Sequence, residues 1–95
     1  MGKRINISAE DYDIMLSCLP PEGETITPEE FEERWQYEFG RRDAIKDSAN
    51  PEFLKVMLGL QPTPGGNLVC LDALGAAWAK GYRDYANAWL VINRI

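Results

Sequence analysis

Histidine is absent from the 95-residue sequence, and this absence bears directly on catalysis. Histidine is the usual general base, the usual activator of a serine or cysteine nucleophile and the commonest zinc ligand. Serine is scarce as well. Ser8 precedes a helical pattern and is better explained as a helix cap, and Ser48 lies in a polar turn. We therefore expect a protein that is not an enzyme.

Cysteine is also rare, and only Cys18 and Cys70 are present. Each lies among apolar residues, and a thiolate metal site would need further ligands that the sequence lacks. Two buried free thiols are therefore favoured over a disulfide or a metal pair. The segment PTPGG at 62–66 lacks the glycine spacing and the following lysine of a phosphate-binding loop. We expect no metal ion and no cofactor.

Long apolar runs are missing from the sequence. A membrane-spanning helix needs about 18 or more consecutive apolar residues, and a secretory signal needs an apolar core near the N-terminus. Apolar residues make up 45% of the chain and charged residues 26%, both close to the averages for globular proteins. These features predict a single domain over residues 1–95, located in the cytoplasm and without membrane contact.

Basic residues are missing from one long stretch, between Arg4 and Arg34. Residues 1–33 contain two basic and nine acidic residues, which gives a charge of −7, and residues 34–95 contain eight basic and six acidic residues, which gives +2. Nucleic-acid backbones and anionic membranes select lysine and arginine on the proteins that bind them. The charge layout therefore argues against direct nucleic-acid binding and favours another protein with a basic surface as partner.

Helical patterns dominate the chain and predict an all-α fold, a compact bundle of about four helices with an aromatic-rich central C-terminal helix. The predicted helices cover 9–19, 28–39, a short segment that begins at Pro51, and a long segment that begins between Asn67 and Asp72 and ends near Ile92. The last one carries an aromatic row flanked by small residues. The alternative for its two ends is a pair of short strands at 67–71 and 89–95, since both stretches are strongly apolar.

The first two helices each show a cap and an apolar stripe. Ser8 and Thr27 are predicted caps, as is Asn50 before the third helix. Gly40 suits a C-terminal left-handed cap, although residues 41–46 are also compatible with a longer helix. The predicted buried stripes are Tyr12, Met15, Leu16 and Leu19 on the first helix, and Phe31, Trp35 and Phe39 on the second. Acidic residues occupy the other faces of both helices, and Tyr37 is expected on this polar side of the second helix.

The candidate site is the acidic surface of these two helices. Its predicted partner-binding residues are Glu22, Glu24, Glu29, Glu30, Glu32, Glu33 and Tyr37. Acids in the first turn of a helix interact favourably with its dipole, but Glu33 lies beyond that turn and Glu22 precedes the helix. The alternative is a solvated helix face. The basic cluster Arg41, Arg42 and Lys46 is interpreted as a solvated helix end, with a phosphate or the acidic face of another copy as alternatives.

The functional hypothesis is a non-enzymatic regulator or inhibitor whose acidic surface docks on a basic, normally nucleic-acid-binding, surface of a partner protein. In size and charge the chain is similar to the small acidic inhibitors carried by bacteriophages, anti-CRISPR proteins among them, a similarity of profile and not of motif. The alternative is a structural or scaffold component that assembles into homo-oligomers, since ten aromatic residues are many for so small a core.

Overall fold

Helices form all the regular secondary structure of residues 8–93, the part of the chain that this computed structural model describes. In chain order they are α1 (Ala9–Ser17), α2 (Pro28–Asp47), α3 (Pro51–Met57), a 3-10 turn (Leu71–Leu74) and α4 (Ala76–Asn93). The predicted all-α bundle of about four helices is confirmed. The bundle is elongated and measures 48 × 29 × 22 Å, so many side chains lie at its surface.

Three helices begin at side-chain caps that the sequence predicts. Ser8, Thr27 and Asn50 each accept a hydrogen bond from the backbone N–H three residues further on, over 3.1, 3.1 and 3.4 Å respectively. Each bond satisfies one of the amide groups that a helix start leaves unpaired. Proline follows Thr27 and Asn50 at the start of the helix, where its missing N–H removes no helical bond. The starts of α1, α2 and α3 are therefore determined locally.

The helices α2 and α4 touch backbone to backbone where two glycines meet. A Cβ atom on Gly40 would lie 2.8 Å from the carbonyl carbon of Trp78 and closer still to its oxygen. A Cβ atom on Gly81 would meet the carbonyl group of Tyr37 in the same way, with the carbon at 2.8 Å. At this separation only glycine fits either position, because it alone lacks a Cβ atom. We call this contact the glycine crossing.

Gly40 therefore does not end α2, and the predicted helix boundary at residue 39 is wrong. The helix continues through Gly40 to Asp47, and Gly40 itself is buried beneath α4. A glycine that admits a neighbouring backbone and a glycine that caps a helix have the same local sequence signature. The alternative prediction, in which residues 41–46 prolong the helix, is correct. The helix α1 ends at Ser17, two residues before the predicted end.

Hydrogen bonds between side chains join α2 to α4 around the crossing. In each bond an aromatic side chain donates to an aspartate of the facing helix: Tyr37 Oη to Asp84 Oδ2 (2.6 Å), Trp78 Nε1 to Asp43 Oδ2 (2.9 Å) and Tyr82 Oη to Asp47 Oδ2 (2.8 Å). Asp43 and Asp47 are one turn apart on α2 and accept from Trp78 and Tyr82, which are one turn apart on α4 in the same order, so the two helices are parallel. Hydrogen bonds to an ionised acceptor are stronger than neutral ones, and these three fix the register of the crossing.

The main core lies where α3, the 3-10 turn and α4 pack together with α2. Its buried members are Ala44, Leu54, Leu71, Ala79, Tyr82, Ala86 and Leu90. Four of these belong to α4, in agreement with the predicted role of the C-terminal helix. The helices α1, α3 and α4 all pack on α2. Tyr82 is fully buried, whereas Trp78, Tyr85 and Trp89 are half-buried at the edge of the core.

The helix α1 packs on α2 through a different face from the one predicted. Its buried residues are Ile14 and Cys18, whereas Tyr12, Leu16 and Leu19 of the predicted stripe are exposed. Glu10 approaches Lys46 at 3.3 Å, so the start of α1 lies beside the end of α2. A nine-residue helix with two apolar ridges gives no local indication of which ridge meets a neighbour, and α2 selects the narrower one.

The predicted aromatic stripe of α2 is only partly buried. Phe31, Trp35 and Phe39 are all half-buried, and the rings of Trp35 and Phe39 pack together with centroids 5.3 Å apart. The fully buried positions of α2 are instead Gly40 and Ala44, because α4 approaches the helix there. Side-chain size is thus a poor guide to burial on this helix, since small residues lie where the backbones are closest.

The alternative of short strands at 67–71 and 89–95 is wrong within residues 8–93. The backbone of Cys70 is extended, but residues 67–70 pair with no other segment, and Leu71 begins the 3-10 turn. Residues 89–93 continue α4. Residues 94 and 95 lie outside the described part of the chain. Of these two apolar stretches only Leu71 and Leu90 are buried within residues 8–93, and extended backbone without a pairing partner does not form a strand.

At the glycine crossing we expect a glycine-to-alanine substitution to lower the unfolding free energy, the opposite of its usual effect in a helix. In an ordinary helix this change stabilises the protein by about 0.5–1 kcal/mol. At Gly40 or Gly81 the new methyl group has to separate α2 from α4, so we expect each variant to lose at least about 1–3 kcal/mol of unfolding free energy. Gly65→Ala is the control, since a Cβ there has no atom closer than 3.7 Å. Urea denaturation that shows Gly40→Ala to be as stable as wild type would contradict the close contact.

The burial of Tyr82 leads us to expect a loss of stability at alkaline pH. Burial, together with the hydrogen bond to Asp47, raises the pKa of Tyr82 well above its usual range. The unfolded chain then releases this proton near pH 10 while the folded chain retains it, so the contribution to stability is complete below that pH and decreases above it. We expect a slope of up to about 1.4 kcal/mol per pH unit in urea denaturation, part of which Tyr82→Phe removes. An identical slope in Tyr82→Phe would exclude this residue as its source.

Candidate functional site

Two adjoining clefts lie between α2 and the start of α4. The first, of about 540 Å³, extends towards the end of α1 and is lined by Cys18, Arg34, Tyr37 and Lys80 among others. The second, of about 560 Å³, is lined by Glu29, Glu32, Glu33 and Gln36 on one side and by residues 74–78 on the other. Glu33, Ala76 and Ala77 belong to both, so the two clefts are continuous. We call the second the acidic cleft.

The acidic wall of this cleft follows from the helical register of α2. Glu29 and Glu33 are one turn apart, as are Glu32 and Gln36, so the four side chains form two adjacent ridges. The opposite wall begins with the 3-10 turn and the first residues of α4, where Leu74 is exposed and Ala76 and Ala77 are small. The small side chains leave the space open. An apolar wall thus faces a row of carboxylates across a groove.

The predicted site residues divide into two groups. Glu29, Glu32 and Glu33 line the acidic cleft, and Tyr37 lines the neighbouring cleft. Glu22, Glu24 and Glu30 are exposed but line neither cleft. The backbone N–H of Glu30 donates to Thr27 Oγ1 over 3.1 Å, which accounts for its position near the helix start. The structure therefore brings together four of the seven residues.

Tyr37 is more constrained than an exposed aromatic contact residue would be. Its hydroxyl donates to Asp84 on α4, and this hydrogen bond is the main reason why the pKa of Tyr37 is raised. Its backbone carbonyl faces Gly81 at the glycine crossing. Tyr37 was expected on the polar side of its helix, away from the packed face. It instead belongs to the contact between α2 and α4 and forms a fixed wall of the first cleft.

The acidic residues of the site are not paired with the nearby cations Arg34 and Lys80, which line the first cleft together with Glu33. None of the six predicted glutamates takes part in an ion pair among residues 8–93. The cations of the first cleft, Arg34 and Lys80, are exposed, and the acidic cleft itself has no basic residue in its lining. Carboxylates concentrated on one surface repel one another, and a cationic partner relieves that repulsion. This part of the molecule is therefore electrostatically suited to a positively charged ligand.

The basic cluster Arg41, Arg42 and Lys46 forms ion pairs with glutamates of the same chain. Arg41 bonds Glu38 over 3.1 Å, and Lys46 and Arg42 approach Glu10 of α1 at 3.3 and 4.0 Å. Exposed ion pairs of this kind contribute about 0–1 kcal/mol each, so they orient α1 more than they stabilise it. The cluster partly neutralises α1 and leaves the glutamates of the acidic cleft uncompensated.

The geometry of the acidic cleft suits binding better than acid catalysis. A carboxyl group that acts as a general acid near neutral pH needs an apolar enclosure to raise its pKa. Glu29, Glu32 and Glu33 are all solvent-exposed instead. Within residues 8–93 no three histidine, cysteine, aspartate or glutamate side chains converge on a metal-ion position, so the carboxylates form a row and not a cage.

In comparisons with protein-family models, curated proteins and solved structures, no match to the chain was found. None of the helices within residues 8–93 has the length and apolar character needed to cross a membrane. Inference about function therefore depends on the charge and geometry of the clefts.

The apolar wall of the acidic cleft was not predicted from the sequence. Leu74, Ala76, Ala77 and Trp78 lie about forty positions after the glutamates they face, and no local pattern links the two segments. The available signal was the group of small residues around the aromatic row of the C-terminal helix, which indicated close approach of a neighbouring helix. It did not indicate that the neighbour would be the acidic helix.

The two cysteines, both predicted to be buried, differ in the structure and provide a test of how α1 packs. Cys18 is 4% exposed, and burial is the main reason why the pKa of its thiol is raised, whereas Cys70 is exposed. The prediction of burial is therefore wrong for Cys70, which lies in the extended segment before the 3-10 turn.

Because the thiolate is the reactive form, we expect Ellman's reagent to modify Cys70 at least about tenfold faster than Cys18 in the native protein. Cys70→Ser should leave only the slow phase and Cys18→Ser only the fast one. Urea should abolish the difference. Equal rates for the two thiols in the folded protein would show that α1 does not cover Cys18.

Proposed function

We propose that this protein is a non-enzymatic regulator or inhibitor that binds a basic surface of another protein through the acidic cleft. The supporting observation is the position of Glu29, Glu32 and Glu33, which line an open groove, face an apolar wall and take part in no ion pair among residues 8–93. Charged residues arranged in this way steer a cationic partner to the groove, and the apolar wall supplies contact area once it arrives.

A basic target surface is often one that also binds nucleic acid, because phosphate backbones are recognised by clustered lysine and arginine. A protein whose glutamates occupy such a surface excludes the nucleic acid by competition. The proposal therefore includes inhibition of a nucleic-acid-binding protein, as in phage-encoded inhibitors such as anti-CRISPR proteins. The basis for that comparison is the small size and the net charge of −5.

Self-assembly into homo-oligomers is the second candidate, and one observation favours it. Several large apolar side chains are exposed on the elongated molecule, among them Leu60, Leu68, Val91 and Ile92. The charge layout opposes it, because the basic cluster that would complement the acidic cleft of another copy already contacts Glu10 and Glu38. A concentration-independent oligomer in light scattering would favour assembly, and a monomer would favour the inhibitor.

The acidic cleft is tested by two charge reversals of equal size. Glu29→Lys with Glu33→Lys changes the cleft, and Glu22→Lys with Glu24→Lys makes the same change in net charge outside it. The wild-type protein is first used to capture a partner from the native host, and binding kinetics are then measured at low and moderate salt. We expect the cleft variant to associate more slowly and to bind at least about tenfold more weakly, whereas the control variant keeps most of its affinity.

Melting curves of both variants and of Glu30→Gln separate docking from helix stability. Glu30→Gln retains the geometry at the start of α2, so a comparable loss of binding there would indicate helix destabilisation. Unchanged association of the folded cleft variant at both salt concentrations would leave these glutamates as a solvated helix face. Equal losses in the two double variants would show that net charge matters and the cleft does not.

A further inference from the structure

The helix α1 presents an apolar stripe that no part of residues 8–93 covers. Tyr12 and Leu16 lie one turn apart on α1, and the backbone N–H of Leu19 donates to the carbonyl of Leu16 over 3.2 Å in the turn that follows the helix. The three side chains are 52%, 47% and 54% exposed, in that order. Ile14 and Cys18, on another face, are buried against the rest of the protein. Isolated apolar residues are normal at a surface, but three on successive turns form a patch of the kind that binds another chain.

The orientation of α1 is fixed, so the stripe faces outward as a stable surface. Ile14 is 1% exposed and Cys18 is 4% exposed, which ties both the middle and the end of the helix to the protein. Glu10 contacts Lys46 and Arg42 near its start. A helix of nine residues is not stable on its own in water, so these contacts keep α1 helical and hold the stripe in place. A partner therefore meets a preformed apolar ridge.

The negative charge around the stripe favours a positively charged binding partner. Asp13 lies beside the stripe, and residues 9–33 contain no basic residue at all. The last turn of α1 also lacks a cation, although the carbonyl end of a helix favours one. A second copy of this chain would bring the same acids towards these acids, which is unfavourable. A basic partner supplies the missing cations.

We propose that the stripe Tyr12, Leu16 and Leu19 docks an amphipathic basic helix of the partner protein. Such a helix places apolar residues at i, i+3 or i+4, and i+7 against the stripe and lysine or arginine beside Asp13 and the end of α1. The inference rests on the proposed function and extends it, since it assigns a second contact and the secondary structure of the partner there. The acids govern the rate of association, and the apolar stripe governs the rate of dissociation.

The test uses the full chain and a synthetic peptide of about 18 residues, long enough to form a helix, with leucine at helical spacing and lysine and arginine on its flanks. Two further peptides serve as controls. One carries glutamate in place of the basic residues, and the other has the same composition with its leucines spread around the helix. Binding is measured by calorimetry and by chemical-shift changes in ¹⁵N-labelled protein.

Matched protein variants locate the contact. Leu16→Ser with Leu19→Ser removes the stripe, and Leu60→Ser with Leu68→Ser makes the same chemical change at exposed leucines elsewhere. We expect the basic amphipathic peptide to bind wild type and the control variant equally, and to bind the stripe variant at least about tenfold more weakly. Tyr12→Lys, which places a cation against the basic helix, should weaken binding as well, and circular dichroism establishes that each variant is folded.

Several results would overturn the proposal. They are failure of the basic peptide to bind, equal affinity for the glutamate or the rearranged peptide, and equal losses in the two leucine variants. A wild-type dimer that the stripe variant dissociates would make a second copy the occupant. Binding to phosphatidylcholine vesicles that depends on the stripe would show that the stripe binds a lipid surface.

The proposals for the stripe and for the acidic cleft can be overturned independently of each other. If the cleft variant Glu29→Lys with Glu33→Lys loses the captured partner while the stripe variant keeps both partner and peptide, the cleft remains and the stripe has no role. If the stripe variant loses both and the cleft variant loses neither, the stripe binds the partner alone and the proposed role of the cleft is wrong.

Discussion

The glycine crossing of α2 and α4 is the contact on which the rest of the structure depends. Gly40 and Gly81 let the two backbones touch, and the aspartate acceptors on either side hold the helices at that register. Ala44 and Ala79 are buried near the contact and contribute little hydrophobic area, and Tyr82 is the large side chain buried beside them. Close backbone approach and charge-assisted hydrogen bonds thus add to the burial of Tyr82 in stabilising the helix pair.

The positions of both candidate surfaces follow from this contact. Because α4 lies directly on α2, its first turn meets the acidic side of α2 and closes one wall of the acidic cleft. The remaining side of α2 receives α1, whose buried ridge is only Ile14 and Cys18. The wider apolar ridge of α1 is left outward. The cleft and the stripe therefore arise from how the helices share α2, the helix that all three others pack on.

Local chemistry determined what could be predicted from the sequence. The caps at Ser8, Thr27 and Asn50, and the starts of the helices that follow them, depend on residues within one turn, and they were predicted correctly. The burial of Gly40, the exposure of Leu16 and the apolar wall of the acidic cleft depend on segments far apart in the chain. Periodicity identifies an apolar face but not its neighbour, so Tyr12 and Leu19 were assigned to the core in error.

The glycine crossing also links ligand binding to folding. Trp78 and Asp43 are 35 positions apart, so the contact closes a long loop and requires both helices to be continuous through their glycines. The two walls of the acidic cleft exist side by side only when that loop is closed. A ligand that bridges the walls binds the folded chain and not the unfolded one. By mass action it raises the melting temperature of the entire domain as its concentration rises.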